Sequence, residues 1–206
     1  MHRTIFQEFE QICAQYGPFN RVLEIGATRQ DRPLLTLPSI GKARLKVGID
    51  QTEGFRGEDY YVLQGNANHL AFFADGAFDL VLCNSVLEHD PSFWLTLQAV
   101  RRVARPGALL IFGVPAYSAM GDLFGLKLAR RLSRLPFVGT RWKQRLEALE
   151  AGTPTLGLHA YPADYYRFSE QAMKEIFLQG LLRVQTKMVM NPPRVIGWGF
   201  VPGAPS

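Results

Sequence analysis

Apolar runs of strand length recur along this chain, and most of them end in a polar residue. They read RVLEIG, RLKVGID, YYVLQGN, FDLVLCNS and ALLIFGVP, with helix-like stretches between several of them. Nearly continuous apolar runs, rather than alternating ones, are expected where helices cover both faces of a parallel sheet. The alternation therefore predicts an α/β fold, a doubly wound and mostly parallel sheet with helices on both faces. At 206 residues the chain suits one domain with a core of its own. No internal repeat or low-complexity linker marks a second one.

The helical segments are legible from spacing. Ile5, Phe9, Ile12 and Tyr16 recur on one face of an opening helix that stops at Gly17-Pro18. The stretch PSFWLTLQAVRRVARPG enters through Asp90-Pro91, closes at Pro106-Gly107 and shares Phe93, Leu97, Val100 and Ala104 on one face. A helix from Ser169 to Gln179, which Ser169 can cap, precedes strand-like pieces over Leu182 to Met190 and Val195 to Val201. Helix, strand and strand at the end suit a sheet whose final pair is antiparallel.

Composition bounds the class. Hydrophobic content of 47% and charged content of 20% are those of a globular protein. Cys13 and Cys83 match no metal spacing, and we expect no metal site; a reducing cytoplasm is the natural setting. Arg3, Glu8 and Glu10 interrupt the opening segment, so a signal peptide is not expected. The net charge of +5 leaves nucleic acid, an anionic membrane or a phosphorylated substrate as conceivable partners.

In open α/β sheets the ligand lies beyond the carboxyl ends of the strands. Four strand ends here carry polar residues in order: Glu24 with Gly26, then Asp50, then Asn66 with Ala67, then Asn84 with Ser85. Asp50 closes the second strand where an acid can accept hydrogen bonds from a ribose diol. Asn66 can accept from an adenine amino group. The G-x-G-x-x-G that lets a pyrophosphate approach is absent, because Ala27, Thr28, Arg29 and Gln30 follow Gly26. That argues against a dinucleotide and favours a cofactor without phosphate.

Taken together, VLEIGAT, VGID, GNANHLAFFADGAFDLVLCNSVLEHDPSFWLTLQAVRRVARPGALLIFGVP and HAYPADYYRFSEQAMKEIF resemble the class I S-adenosylmethionine-dependent methyltransferases, in particular the small bacterial single-domain kind. The resemblance runs from about Asn20 to about Leu182. It implies a seven-stranded sheet with the last strand antiparallel, S-adenosylmethionine as cofactor, and a single domain over 1–206 with a helical insert or lid at about 118–168. Carried over position by position, it implies that Glu24, Gly26 and Ala27 form the first motif, with Glu24 near the methionine part of the cofactor. Asp50 with Gln51 would hold the ribose, Asn66 and Ala67 the adenine, and Asn84 would close the fourth strand. The turn departs from the family at Ala27, Thr28 and Arg29, where a further glycine is usual. An outward Arg29, or one paired with Asp31 or the cofactor carboxylate, leaves room; an inward one obstructs.

On the acceptor side, a hydroxyl that receives a methyl group gains from a base near its proton. His89, His159 and Asp164 are the candidate catalytic residues, with Tyr161, Tyr165 and Arg167 as candidate substrate contacts. His89 could equally pack at a helix entry, and Asp164 could pair with Arg167. Over 121–137, Phe124, Leu128, Leu132 and Leu135 face one way while Lys127, Arg130, Arg131 and Arg134 face the other. Such a helix packs on its Leu face, or contacts an anionic membrane peripherally. The acceptor expected is a small molecule or a glycan or lipid-linked compound. A nucleic-acid substrate is not expected, since NSVL stands where a base methyltransferase would carry an Asn-Pro-Pro-Tyr-type tetrapeptide. A non-catalytic domain that keeps the fold is the alternative that the altered turn leaves open.

Overall fold

The computed structural model describes residues 2–117, 140, 141, 144, 163–190 and 192–203. Their strands are β1 (Arg21–Ile25), β2 (Leu45–Asp50), β3 (Phe55–Arg56), β4 (Tyr61–Gln64), β5 (Phe78–Asn84), β6 (Ala104–Pro115), β7 (Leu182–Met190) and β8 (Pro193–Phe200). They form one sheet in the order β3-β4-β2-β1-β5-β6-β8-β7. β1, β2, β4, β5 and β6 pair in parallel. β8 runs antiparallel to both β6 and β7, so the last strand is reversed as expected. The sheet has eight strands rather than seven. The extra one, β3, pairs antiparallel with the edge of β4 and is too short to leave a periodic signal.

Each apolar run supplies both faces of the sheet, which is why the runs are nearly continuous. On one face, Val22, Leu80, Leu82 and Ile111 pack with Ile5, Phe9 and Ile12 of helix α1 (Arg3–Tyr16). On the other, Leu23, Val81, Cys83 and Phe112 pack with Leu97, Val100 and Val103 of helix α2 (Phe93–Val103). Phe9 is wholly buried, a burial whose loss on truncation to Ala costs about 3–5 kcal/mol in typical cores. The second face is completed by helix α3 (Glu170–Ala172), capped by the Ser169 hydroxyl and continued by a π-helical turn over Met173–Phe177.

Two helix boundaries differ from the sequence expectation: the helix expected over Ser169 to Gln179 ends at Phe177 as a π-helical turn, and α2 stops early. α2 ends at Val103, and Ala104 opens β6 opposite Phe78 instead of continuing the helical face. Arg102 closes the end of α2 by donating to the carbonyls of Leu70 and Phe73 at 2.8 and 2.9 Å. The crossover from β1 to β2 contains two 3₁₀ turns, Leu34–Thr36 and Pro38–Ile40, where a parallel connection more often holds a full helix. Pro33 and Pro38 start them, and a proline cannot donate within a helix. The segment 121–137, His159 and Tyr161 lie outside the described residues, as does most of the expected insert. Among the described residues no helix is long and apolar enough to cross a membrane.

The altered turn fits because β2 gives way beneath it. Gly26 sits at φ +80°, where a side chain is strained, and a Cβ there would meet Val86 at 2.2 Å. Ala27, Thr28 and Arg29 are not among the residues with positive φ, so the turn asks for no further glycine. Ala27 is wholly buried, and its methyl occupies room left by Gly48: a Cβ on Gly48 would lie 2.5 Å from the Ala27 Cβ and 2.9 Å from Val62. Gly48→Ala is expected to destabilise the protein by about 1–3 kcal/mol through overpacking. Adding Ala27→Gly should return part of that loss, as read from urea midpoints; additive losses would mean that the two positions do not share this space.

Candidate functional site

A cavity of about 640 Å³ opens at the carboxyl ends of β1, β2 and β5. It lies where the strand order reverses, since the chain runs outward through β2 and β4 and then returns to β5 on the other side of β1. Glu24, Gly26, Asp50, Gln51, Ala67, Asn84 and His89, all singled out in the sequence, line it. Its volume is in the range that holds a cofactor-sized ligand.

On the β1 side the polar groups are spoken for. The Glu24 carboxylate accepts from the backbone N–H groups of Leu34 and Leu35, both at 3.0 Å. It therefore anchors the first 3₁₀ turn to the strand below it, and burial pushes its pKa up to about 7 against those two donors. Asp50 directs Oδ1 to the backbone of its own turn, accepting from the N–H of Thr52 at 2.8 Å and of Glu53 at 3.3 Å and from the Thr52 hydroxyl. Its Oδ2 takes no part in those bonds. Arg29 reaches outward: its Nε lies 3.5 Å from Glu53, and its guanidinium lies 5.1 Å from the Phe55 ring centroid.

On the β5 side several polar groups stay unpaired. Asn84 donates from Nδ2 to the Ser85 hydroxyl at 3.0 Å, whereas its buried Oδ1 has no partner. Ser85 takes φ +58°, a left-handed conformation that costs energy for a residue with a Cβ. His89 has Nδ1 3.1 Å from the Ala163 carbonyl; a carbonyl only accepts, so that nitrogen carries the hydrogen. Its Nε2 is 4.0 Å from Glu88 Oε1. Glu88 is wholly buried with neither carboxylate oxygen hydrogen-bonded, and burial raises its pKa to about 7.

Other residues from the sequence reading fall elsewhere. Ala27 packs below the cavity rather than lining it. Asn66 is exposed, does not line the cavity and accepts from the N–H of Asn68 at 2.8 Å. Asp164 and Arg167 form a bidentate pair, with one contact at 2.6 Å, and neither lines the cavity. Tyr165 is exposed, and its backbone N–H donates to the Glu88 carbonyl at 2.8 Å. Among the described residues no cluster could hold a metal ion.

The sequence reading missed Glu88, Asp90 and Arg194. Asp90 lines the cavity and joins Ser92 N, Asn68 Nδ2 and the Thr96 hydroxyl at 2.7–2.8 Å, tying α2 to the loop after β4. The signal for Glu88 was available: an acid directly before His89, behind an apolar run. Arg194, at the start of β8, gives no local signal.

Comparison with known proteins agrees with this architecture. A family model described as a methyltransferase domain matches residues 36–112, which span β2 to β6. No curated protein sequence matches the chain. Among solved structures the chain is similar to 1,6-didemethyltoxoflavin-N1-methyltransferase from Burkholderia thailandensis, solved with 1,6-didemethyltoxoflavin and S-adenosylhomocysteine. That match has a TM-score of 0.62 at 15% identity and covers 96% of this chain and 78% of that one. It is also similar to an S-adenosylmethionine-dependent methyltransferase from Methanosarcina mazei (TM-score 0.56, 16% identity, 99% of each chain). A third, from Thermotoga maritima, is described as a possible histamine N-methyltransferase (TM-score 0.54, 18% identity, 95% and 88%). The fold is that of the class I S-adenosylmethionine-dependent methyltransferases, and the resemblance read from the sequence holds.

The two buried acids set a pH dependence. Glu24 and Glu88 have pKa values raised from 4.5 to about 7, so between those values the folded chain holds protons that the unfolded chain releases. Their stabilising contribution is fully present below about pH 4.5 and is lost as pH rises through about 7. Urea stability should fall between pH 5 and pH 8, and Glu88→Gln should remove roughly half of that fall. A slope that Glu88→Gln leaves unchanged would show that Glu88 titrates as an ordinary surface acid.

Proposed function

We propose that this chain is an S-adenosylmethionine-dependent methyltransferase acting on a small-molecule, glycan or lipid-linked acceptor. The observation that carries the reading is the cavity itself: a left-handed Gly26, the unengaged Oδ2 of Asp50 and the orphaned Oδ1 of Asn84 all belong to its lining. These features fit the cofactor. Gly26 lets the backbone turn sharply at the strand end where its amino-acid end would lie, Asp50 suits its ribose hydroxyls, and Asn84 offers an acceptor to its ammonium. Gln51 and Ala67 flank the nucleoside end. A cytoplasmic setting, where Cys13 and Cys83 remain thiols, suits the reaction.

When bound, the cofactor supplies a methyl group on a positively charged sulfur that leaves as a neutral thioether. Much of the acceleration of such a displacement comes from holding the acceptor in line. In this reading His89 takes the proton that the acceptor's O–H or N–H loses as its bond to the methyl carbon forms. The Nδ1 hydrogen is held by the Ala163 carbonyl, which fixes the ring with Nε2 4.0 Å from Glu88 Oε1.

Titration calorimetry with S-adenosylmethionine and S-adenosylhomocysteine tests the reading, with micromolar binding of both expected. Asp50→Asn keeps an oxygen for the Thr52 turn but loses the charge, and should weaken S-adenosylhomocysteine binding by about 10–100-fold. His89→Gln should lower kcat by about 10²–10⁴-fold and leave that affinity within about twofold. Absence of binding by folded protein would instead make the chain a non-catalytic relative.

A further inference from the structure

Four of the six buried side-chain atoms that lack a hydrogen-bond partner among the described residues belong to Asn84, Glu88 and Arg194. Arg194 is the unexpected member. Its side chain is 9% exposed, it lines the cavity, and its Nη1 has no acceptor. Its ionic contact is with Glu88, whose Oε1 stands 4.0 Å away, beyond hydrogen-bond range. A guanidinium stays charged in a protein, and burying one without a close counter-charge costs several kcal/mol. In most folds such a group has either a bidentate carboxylate or a ligand. Arg167, nearby in the same electrostatic cluster, shows the first solution, with Asp164 on its fork. Arg194 lacks it.

Its position tells which ligand it serves. Arg194 pairs with Pro115 at the carboxyl end of β6, at the same edge of the sheet as Asn84 and Gly26. β8 is three strands from β1 and four from β2, which at the usual strand spacing is about 14 and about 19 Å. A cofactor seated between Asp50 and Gly26 therefore leaves Arg194 to the acceptor. The cations on the cofactor's side are Arg29 and Arg32, which line the β1 end of the cavity. They are engaged there: Arg29 with Glu53 and Phe55, and Arg32 with the Thr36 hydroxyl and the Phe6 ring.

We propose that Arg194 binds an oxyanion, a carboxylate or a phosphate, carried by the methyl acceptor, with Glu88 as the weak counter-ion that the oxyanion displaces. The assignment rests on the methyltransferase reading and narrows its acceptor to an anionic compound. Charged groups facing Glu88 are Arg194 from β8, Arg167 and Asp164 from the segment before α3, and His89 beside it. Burial raises the Glu88 pKa to about 7, so an arriving oxyanion can displace the charge Glu88 keeps by leaving its carboxyl protonated, a cost that Glu88→Gln removes.

The test uses the full chain saturated with S-adenosylhomocysteine, with acetate and inorganic phosphate as separate probes against chloride at matched ionic strength. Binding is followed by calorimetry. At least one oxyanion should bind and chloride should not, with the two probes separating a carboxylate from a phosphate acceptor. Arg194→Gln should lose that binding by 10-fold or more, Arg194→Lys should keep part of it, and Glu88→Gln should tighten it. Throughout, S-adenosylhomocysteine affinity should stay within about twofold of wild type. Loss of S-adenosylhomocysteine binding in Arg194→Gln alone would overturn the proposal by placing Arg194 on the cofactor's carboxylate. Equal oxyanion binding by wild type, Arg194→Gln and Glu88→Gln, or none by any of them, would make the pair structural. If wild type itself fails to bind S-adenosylhomocysteine, the methyltransferase reading fails first, and this assignment fails with it.

Discussion

The Glu24 carboxylate, held between β1 and the N–H groups of Leu34 and Leu35, is the interaction on which the site depends. It spans the two ends of the turn that leaves β1. The strand end is thereby fixed to the first 3₁₀ turn of a crossover that contains no long helix among its elements. Those two bonds work with the buried Leu34, Leu35, Leu37 and Ile40 and with the Ser39–Glu10 bonds to set the height of a loop interrupted by Pro33 and Pro38. Both donors lie at the start of a 3₁₀ turn, where backbone N–H groups have no partner within the turn itself. An ionised acid there satisfies two of them at once, which is worth more than two neutral bonds. Burial opposes that ionisation, and the balance places Glu24 near neutrality.

The fixed turn then determines what β2 can carry. A chain that leaves β1 with Ala27 in place of a small-side-chain gap needs room below, and Gly48 provides it in the adjacent strand. The loss of a glycine in the loop and the presence of one in the strand are thus one packing solution written at two positions. It also explains why Arg29 points away. With Ala27 buried, the following residues lie at the rim, where Glu53 of the β2–β3 connection and Phe55 of β3 receive the guanidinium. The short strand β3 gains an ordering contact in return.

Much of this was legible in the sequence, because strands and their ends follow local rules. The apolar runs placed β1, β2, β4, β5, β6, β7 and β8, and the polar residues at the ends of β1, β2 and β5 located the cavity, whereas Asn66 after β4 does not line it. What escaped was decided by contacts between distant segments. β3 is two residues long and exists only because β4 has a free edge. Ala104 has the spacing of a helical face and yet joins β6, since pairing with Phe78 outweighs one more turn of helix. Arg194 needs the antiparallel return of β8 beside β6 to reach the cavity, and no pattern near it in the chain announces that.

The polar groups that line the cavity or lie just behind its wall divide by a simple physical criterion. On the β1 and β2 side, Glu24 and one oxygen of Asp50 are satisfied by backbone N–H groups, so they set shape and keep it before any ligand arrives. On the β5 and β8 side, Asn84 Oδ1, both oxygens of Glu88 and Arg194 Nη1 are buried and unpaired. Each unmet buried group costs about 1–3 kcal/mol, so a fold that only needed rigidity would do better with apolar residues there. The expense is concentrated at the β5 and β8 end of the sheet edge, the end that the proposed function gives to the acceptor. It is the same logic by which a binding site rejects a ligand that lacks the matching group: the penalty already present in the empty site is relieved only by the correct partner.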